Sequence, residues 1–129
     1  MQQEHPNIEI LKKFNPADPG SAGQIIAQDF VWHYINPELP ELEGDYLGLT
    51  GLTDFFKRLA GRTDGSFKVK PLAIVPLGDQ LVVTHVRDAM VLNGKNMEVD
   101  AIVTWCIIDG KIKEAWDVPA LPTAKFVES

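Results

Sequence analysis

Apolar residues along the chain change their spacing once, near Ser66. Before that point they recur at helical intervals. Ile8, Leu11 and Phe14 share one side of a short charged segment that ends at Asn15-Pro16, which predicts a first helix over 7–14. Ser21 is placed to cap a second helix carrying Ala22, Ile25 and Ile26 and running to about Asp29. Phe30 to Tyr34 is aromatic and β-branched and is closed by Asn36-Pro37, the signature of a strand. An acidic, proline-containing loop follows over 37–43, then a short extended piece at Gly44 to Gly48. Thr50 or Thr53 opens a third helix through Phe55, Phe56 and Leu59 that stops near Gly61.

After Ser66 the period falls to that of strands: Phe67 to Leu77, Leu81 to Leu92, Met97 to Ile108 and Lys111 to Val118. Gly78-Asp79, Asn93-Gly94 and Asp109-Gly110 separate these runs, and Asn-Gly and Asp-Gly favour tight hairpins because they tolerate positive φ. Three helices followed by a strand meander predict an α+β fold, with the helices covering one face of a bent, mainly antiparallel sheet. Such a cone leaves an apolar cavity suited to a small molecule. We expect one domain over 1–129, with its core in about 7–118 and a tail from Pro119 to Ser129.

Composition narrows the partners. A formal charge of -6, with no Lys/Arg cluster, argues against nucleic acid. No apolar run approaches the length of about 20 residues that a membrane span needs, and the first residues lack the basic and apolar regions of a signal peptide. A cytoplasmic protein is expected. Cys106, the single cysteine, excludes an intrachain disulfide. His5, His33 and His85 have no short-range ligand spacing, so no metal is expected. Gly-rich phosphate loops and nucleophile elbows are absent as well, and no cofactor is expected.

Alternation along the strands groups the residues that carry chemistry. Val83, His85, Arg87 and Ala89 share one side of their strand, and Ala101, Val103, Trp105 and Ile107 one side of the next. Spacing alone leaves open which side meets the cavity. Asp117 is the leading catalytic candidate, because a carboxyl group inside an apolar cavity loses hydration and titrates near neutrality. Against this stands a plain structural role, in which Asp117 pairs with Arg87 or caps a turn. His85 and Arg87 place an imidazole beside a fixed cation, a base next to an anion stabiliser, or else a histidine bonded to backbone with Arg87 bridging to Asp88, Asp100 or Asp117. Phe30, Trp32, Tyr46 and Phe56 are candidates for the pocket wall or rim, and Cys106 should face away from Trp105.

The run Asp29-Phe30-Val31-Trp32-His33, the link Gly44 to Gly48, the helix Gly51 to Leu59 and the close Asp109 to Asp117 resemble SnoaL-like proteins. These belong to the nuclear transport factor two-like (NTF2-like) superfamily, which includes ketosteroid isomerase. The resemblance spans nearly the whole chain and implies a cystatin-like roll. It also implies that the sets containing His85 and Val103 point inward, joined by Asp117. Limonene epoxide hydrolases carry a catalytic aspartate at the position matching Asp117, but their Arg-x-Asp pair is met here only by His85-Val86-Arg87. His33 falls where ketosteroid isomerases hold a carboxylate base, and Val103 falls where they hold their second acid, so neither role transfers unchanged.

The resemblance leaves function open between two classes. One is a cofactor-independent isomerase, cyclase or hydrolase on an apolar oxygenated substrate. In it Asp117 and His85 are the acid/base pair, Arg87 steadies negative charge, His33 and Tyr46 contact polar substrate groups, and Trp32, Phe30, Phe56, Val103 and Trp105 form the wall. The other is a non-catalytic ligand-binding or assembly domain. A homodimer through the sheet face, near Thr104, Cys106 and Ile108, is expected in either case.

Overall fold

The computed structural model describes residues 5–127. A short helix α1 (Pro6–Leu11) and a 3-10 turn (Pro19–Gln24) precede β1 (Ile26–Tyr34), β2 (Gly44–Leu47) and the long helix α2 (Gly48–Arg62). Four strands complete the chain: β3 (Lys68–Leu77), β4 (Leu81–Leu92), β5 (Lys95–Ile108) and β6 (Lys111–Phe126). They form one six-stranded sheet in the order β2-β1-β6-β5-β4-β3. Only β1 and β6 run parallel; the other neighbours are antiparallel.

The predicted hairpins form. Asn93 and Gly94, with φ of 53 and 77, and Asp109 and Gly110, with φ of 52 and 77, take the left-handed conformation that matches strand twist. Two expectations are corrected. In place of a second helix to Asp29, one 3-10 turn ends at Gln24 and β1 begins at Ile26, because Ile112 N–H bonds Ile25 carbonyl at 2.7 Å and draws the segment alongside β6. The segment from Pro119 is not a tail as far as Phe126, for β6 continues along β5 to pair Phe126 with Met97. Its prolines are tolerated because β1 stops opposite Asp117, so beyond that point one edge of β6 needs no ladder donors.

Register shifts at four places in the β1–β6, β3–β4 and β5–β6 ladders bend the sheet. Helix α2 lays Leu52, Phe55 and Leu59 on the concave side, against Phe30, Trp32 and Tyr34 of β1. Phe55 is the hub: its ring lies 5.5 Å from Trp32, 4.8 Å from Tyr34 and 5.1 Å from both Tyr46 and Phe56. Burial of rings of this size supplies much of the hydrophobic stabilisation of so small a domain. Among the described residues, no helix is long and apolar enough to cross a membrane.

Candidate functional site

Register decides which side chains meet the cavity, because residues directly opposite on paired strands share a face. On β5, Val99, Ala101, Val103, Trp105 and Ile107 are buried on the concave side. Opposite Val103 stands Thr84, and opposite Val99 stands Asp88, so the concave face of β4 carries Val82, Thr84, Val86, Asp88 and Met90. Asp117 lies opposite Val103 on β6 and joins this face. Cys106 lies on the other face from Trp105, as alternation requires.

His85 is opposite Ile102 and Arg87 opposite Asp100, on the convex face. The expectation that His85 points inward with Val103 is therefore corrected: one residue of register separates them, and one residue reverses the face. Asp100 draws both side chains together, accepting from His85 Nε2 at 2.9 Å and Arg87 Nε at 2.9 Å. Arg87, and then His85, holds the Asp100 carboxyl below its usual range.

Under α2 the sheet encloses a cavity in two adjoining lobes of about 410 and 330 Å³. Leu59, Phe67, Asp88 and Asp117 line both and form the waist between them. The smaller lobe is apolar and aromatic, walled by Phe14, Trp32, Phe55, Phe56, Val103 and Trp105. Thr84 is satisfied there, donating to Val103 carbonyl at 3.2 Å and accepting from Trp105 Nε1 at 3.1 Å. The Trp32 indole N–H is buried without a hydrogen-bond acceptor among the described residues, amid the rings of Phe55, Phe56 and Trp105. The larger lobe is more polar, with Tyr34, Asn36, Arg62 and Lys95 on its wall.

At the waist, neither the Asp88 nor the Asp117 carboxyl group makes a hydrogen bond to another described residue. Burial pushes Asp88 up to about 7, and the charge of Asp100 adds to the shift. Burial holds Asp117 well above the usual carboxylate range, and the charge of Asp88 raises it further. The waist thus opposes two carboxyl groups whose environments set them apart: Asp88 ionises around neutrality, and its charge helps Asp117 to keep its proton. Beside them the Tyr34 hydroxyl accepts from Asn36 Nδ2 at 2.8 Å, leaving its own proton to donate. Burial pushes the Tyr34 phenol up, so it stays protonated.

Of the remaining candidates, Trp32, Phe56, Val103 and Trp105 line the apolar lobe, whereas Phe30 is buried in the core behind it. Tyr46 is tied off, its hydroxyl donating to Leu42 carbonyl at 2.6 Å. His33 lies on the convex face, stacked on Trp116 at 5.4 Å and held by Asp45 at 2.6 Å and Glu114 at 2.5 Å. Burial opposes its charged form, yet the bonds to Glu114 and Asp45 prevail and raise its pKa. Asp88 and Tyr34 were not singled out by the sequence. Asp88 follows Arg87 and reads as its surface partner until register separates them, and Tyr34 reads as the last residue of a strand.

Comparison with known proteins agrees with this architecture. No curated protein sequence matches the chain at a significant level. Among solved structures, Bal32a, from a soil-derived mobile gene cassette, is 19% identical over 89% of this chain and 89% of its own, with a TM-score of 0.78. An NTF2-like protein of Burkholderia thailandensis E264 is 21% identical over 94% of this chain and 95% of its own, with a TM-score of 0.77. TerC, co-crystallised with polyporic acid, is 21% identical over 88% of this chain and 90% of its own, with a TM-score of 0.75. At such identities these three share the fold. The profile of the SnoaL-like domain matches residues 9–115, and the chain belongs to that family within the NTF2-like superfamily.

Proposed function

We propose that this protein is a cofactor-independent acid/base enzyme acting on an apolar, oxygenated small molecule held at the waist between the two lobes. One observation carries the reading: two carboxyl groups, both desolvated and neither hydrogen-bonded to a described residue, open onto one cavity. Buried polar groups in a purely structural role are paired, and unpaired ones at a cavity mark sites that act on a ligand. Asp88, the more acidic of the two, is the base that removes a proton from a substrate carbon or from water. Asp117 gives its proton to a substrate oxygen as charge develops there. Each cycle carries one proton in to Asp88 and one out from Asp117, and exchange with solvent restores both. Tyr34 supplies a further donor. TerC, a protein of this fold, was co-crystallised with polyporic acid, which supports reading such a cavity as a ligand site.

The test is native mass spectrometry and turnover against terpenoid, steroid and polyketide-like compounds, comparing wild type with Asp88→Asn and Asp117→Asn. Retained binding with turnover lowered at least about 100-fold in each variant is the expected result. Full turnover in either variant removes that residue from the chemistry, and binding without turnover in wild type makes the protein a carrier.

A second reading concerns assembly. Ile102 and Val118 pair across β5 and β6 on the convex face and are 38% and 41% exposed, beside Thr104 and Trp116. We propose that a second copy of the chain covers this patch. Light scattering on a size-exclusion column should give a dimer that Ile102→Lys dissociates; a wild-type monomer at micromolar concentration would refute it.

A further inference from the structure

We infer that the rim of the larger lobe binds an anionic group, so that the ligand is an amphipathic organic acid with its carboxylate at Arg62 and Lys95 and its apolar body across the waist. The inference rests on the cavity being a ligand site, as proposed above.

Charge is unevenly placed around this cavity. The smaller lobe is apolar apart from Thr84, the waist pair and Lys12, and Lys12 is already engaged in an interaction of its own, while the larger one carries Arg62 and Lys95 on its wall, with Glu38 as the one acid besides the waist pair. Arg62 sits in the last turn of α2, where its Nε donates to Glu41 at 3.0 Å and its Nη1 to Asn93 at 3.1 Å. Those two bonds fix the guanidinium across three elements: α2, the loop before β2, and the β4–β5 hairpin. They use two of its five N–H donors and leave the others for a ligand. Lys95, the first residue of β5, lies 5.2 Å from the centre of the Phe126 ring, which lines the same lobe, and makes no ion pair with a described carboxylate.

In a chain of net charge -6, Lys95 without a described carboxylate partner, beside a guanidinium that its ion pair with Glu41 anchors, sets two cationic donors on one side of the lobe. Its opposite pole is the waist. Ionised Asp88 disfavours a second anion at the waist, so a ligand carboxylate is better placed at the rim beside Arg62 and Lys95. A single orientation follows: acid outward, apolar body inward through the waist to the aromatic wall. Planar guanidinium is matched to carboxylate geometry, and the Lys95 ammonium adds a point charge.

The experiment is fluorescence titration of 1-pyrenebutyrate and its uncharged counterpart 1-pyrenebutanol, which share one apolar body. Wild type is expected to bind the carboxylate at least about 10-fold more tightly than the alcohol, with the preference shrinking as salt rises. The double variant Arg62→Gln/Lys95→Gln should lose that preference and keep its affinity for the alcohol within about twofold. The single variant Lys95→Glu should favour the alcohol. Equal wild-type affinities, or a preference that survives the double substitution, would overturn the anion site and leave the carboxylate chemistry at the waist standing. Binding of neither compound would overturn both.

Discussion

Asp88 and Asp117 stand on strands that do not pair, β4 and β6, yet both open onto one cavity because each lies across from a concave-face valine of the strand between them, Val99 for Asp88 and Val103 for Asp117. Strand β5 thus acts as a spacer. It turns two carboxyl groups toward the same cavity without a hydrogen bond between them, and the charge of Asp88 helps Asp117 to keep its proton.

Such an arrangement costs stability, and the cost depends on pH. In the unfolded chain Asp88 ionises near the usual carboxylate value, whereas folded it keeps its proton until about 7. The folded state therefore binds more protons over that window, and stability falls as pH rises from about 4 to about 7. Asp88→Asn is expected to melt at the wild-type temperature near pH 4 and to be more stable at pH 8, on the order of 2 kcal/mol. Thermal melts at both pH values check it. A variant less stable than wild type at pH 8 contradicts the shift.

His33 has the opposite sign. Its pKa is raised by Glu114 and Asp45 despite burial, so its charged form contributes stability that is present below the unfolded value and is lost as pH rises through the folded value. His33→Gln should lower the melting temperature by roughly 2–4 °C at pH 5.5 and by little at pH 9. Calorimetry at the two pH values reads the difference; an equal loss at both would assign it to the Trp116 stack instead.

Two glycines of α2 separate packing from propensity. A Cβ at Gly51 would come within 2.8 Å of the Tyr46 backbone, whereas one at Gly61 would meet nothing within 4 Å. Gly51→Ala should cost about 1–3 kcal/mol by forcing α2 away from β2. Gly61→Ala should gain about 0.5–1 kcal/mol from helix propensity. Urea denaturation of both variants tests the contrast, and a neutral Gly51→Ala would show that α2 has room to move.

Much of the fold was legible because its hairpins are written in Asn93-Gly94 and Asp109-Gly110, which fix where strands turn. The extension of β6 was hidden by Pro119 and Pro122, which read as a strand end until the free edge beyond Tyr34 is known. For the site, the missing step was register. A two-residue turn at Asn93-Gly94 pairs Leu92 with Lys95, and counting back brings Thr84, not His85, across from Val103. Both faces of β4 carry apolar residues, so alternation alone selects neither. Asp117 was legible by position, while Asp88 carries no motif and emerges only from that count.

It follows that His85→Gln and Arg87→Gln, on the convex face with Asp100, leave the cavity untouched. Affinity for 1-pyrenebutanol should stay within about twofold of wild type in both. A tenfold loss in either would place these residues in contact with the cavity after all.

A carboxyl-carbon NMR titration of aspartate-labelled protein from pH 3 to 9 reads the waist itself, with Asp88→Asn and Asp117→Asn to assign the signals. Two carboxyl groups should titrate far above the rest, Asp88 at about 7 and Asp117 raised by burial and by Asp88, and Asp88→Asn should bring Asp117 down without restoring an ordinary value. Titration of both groups near the usual value of about 4 would mean that water reaches them freely, and the acid/base site would not exist.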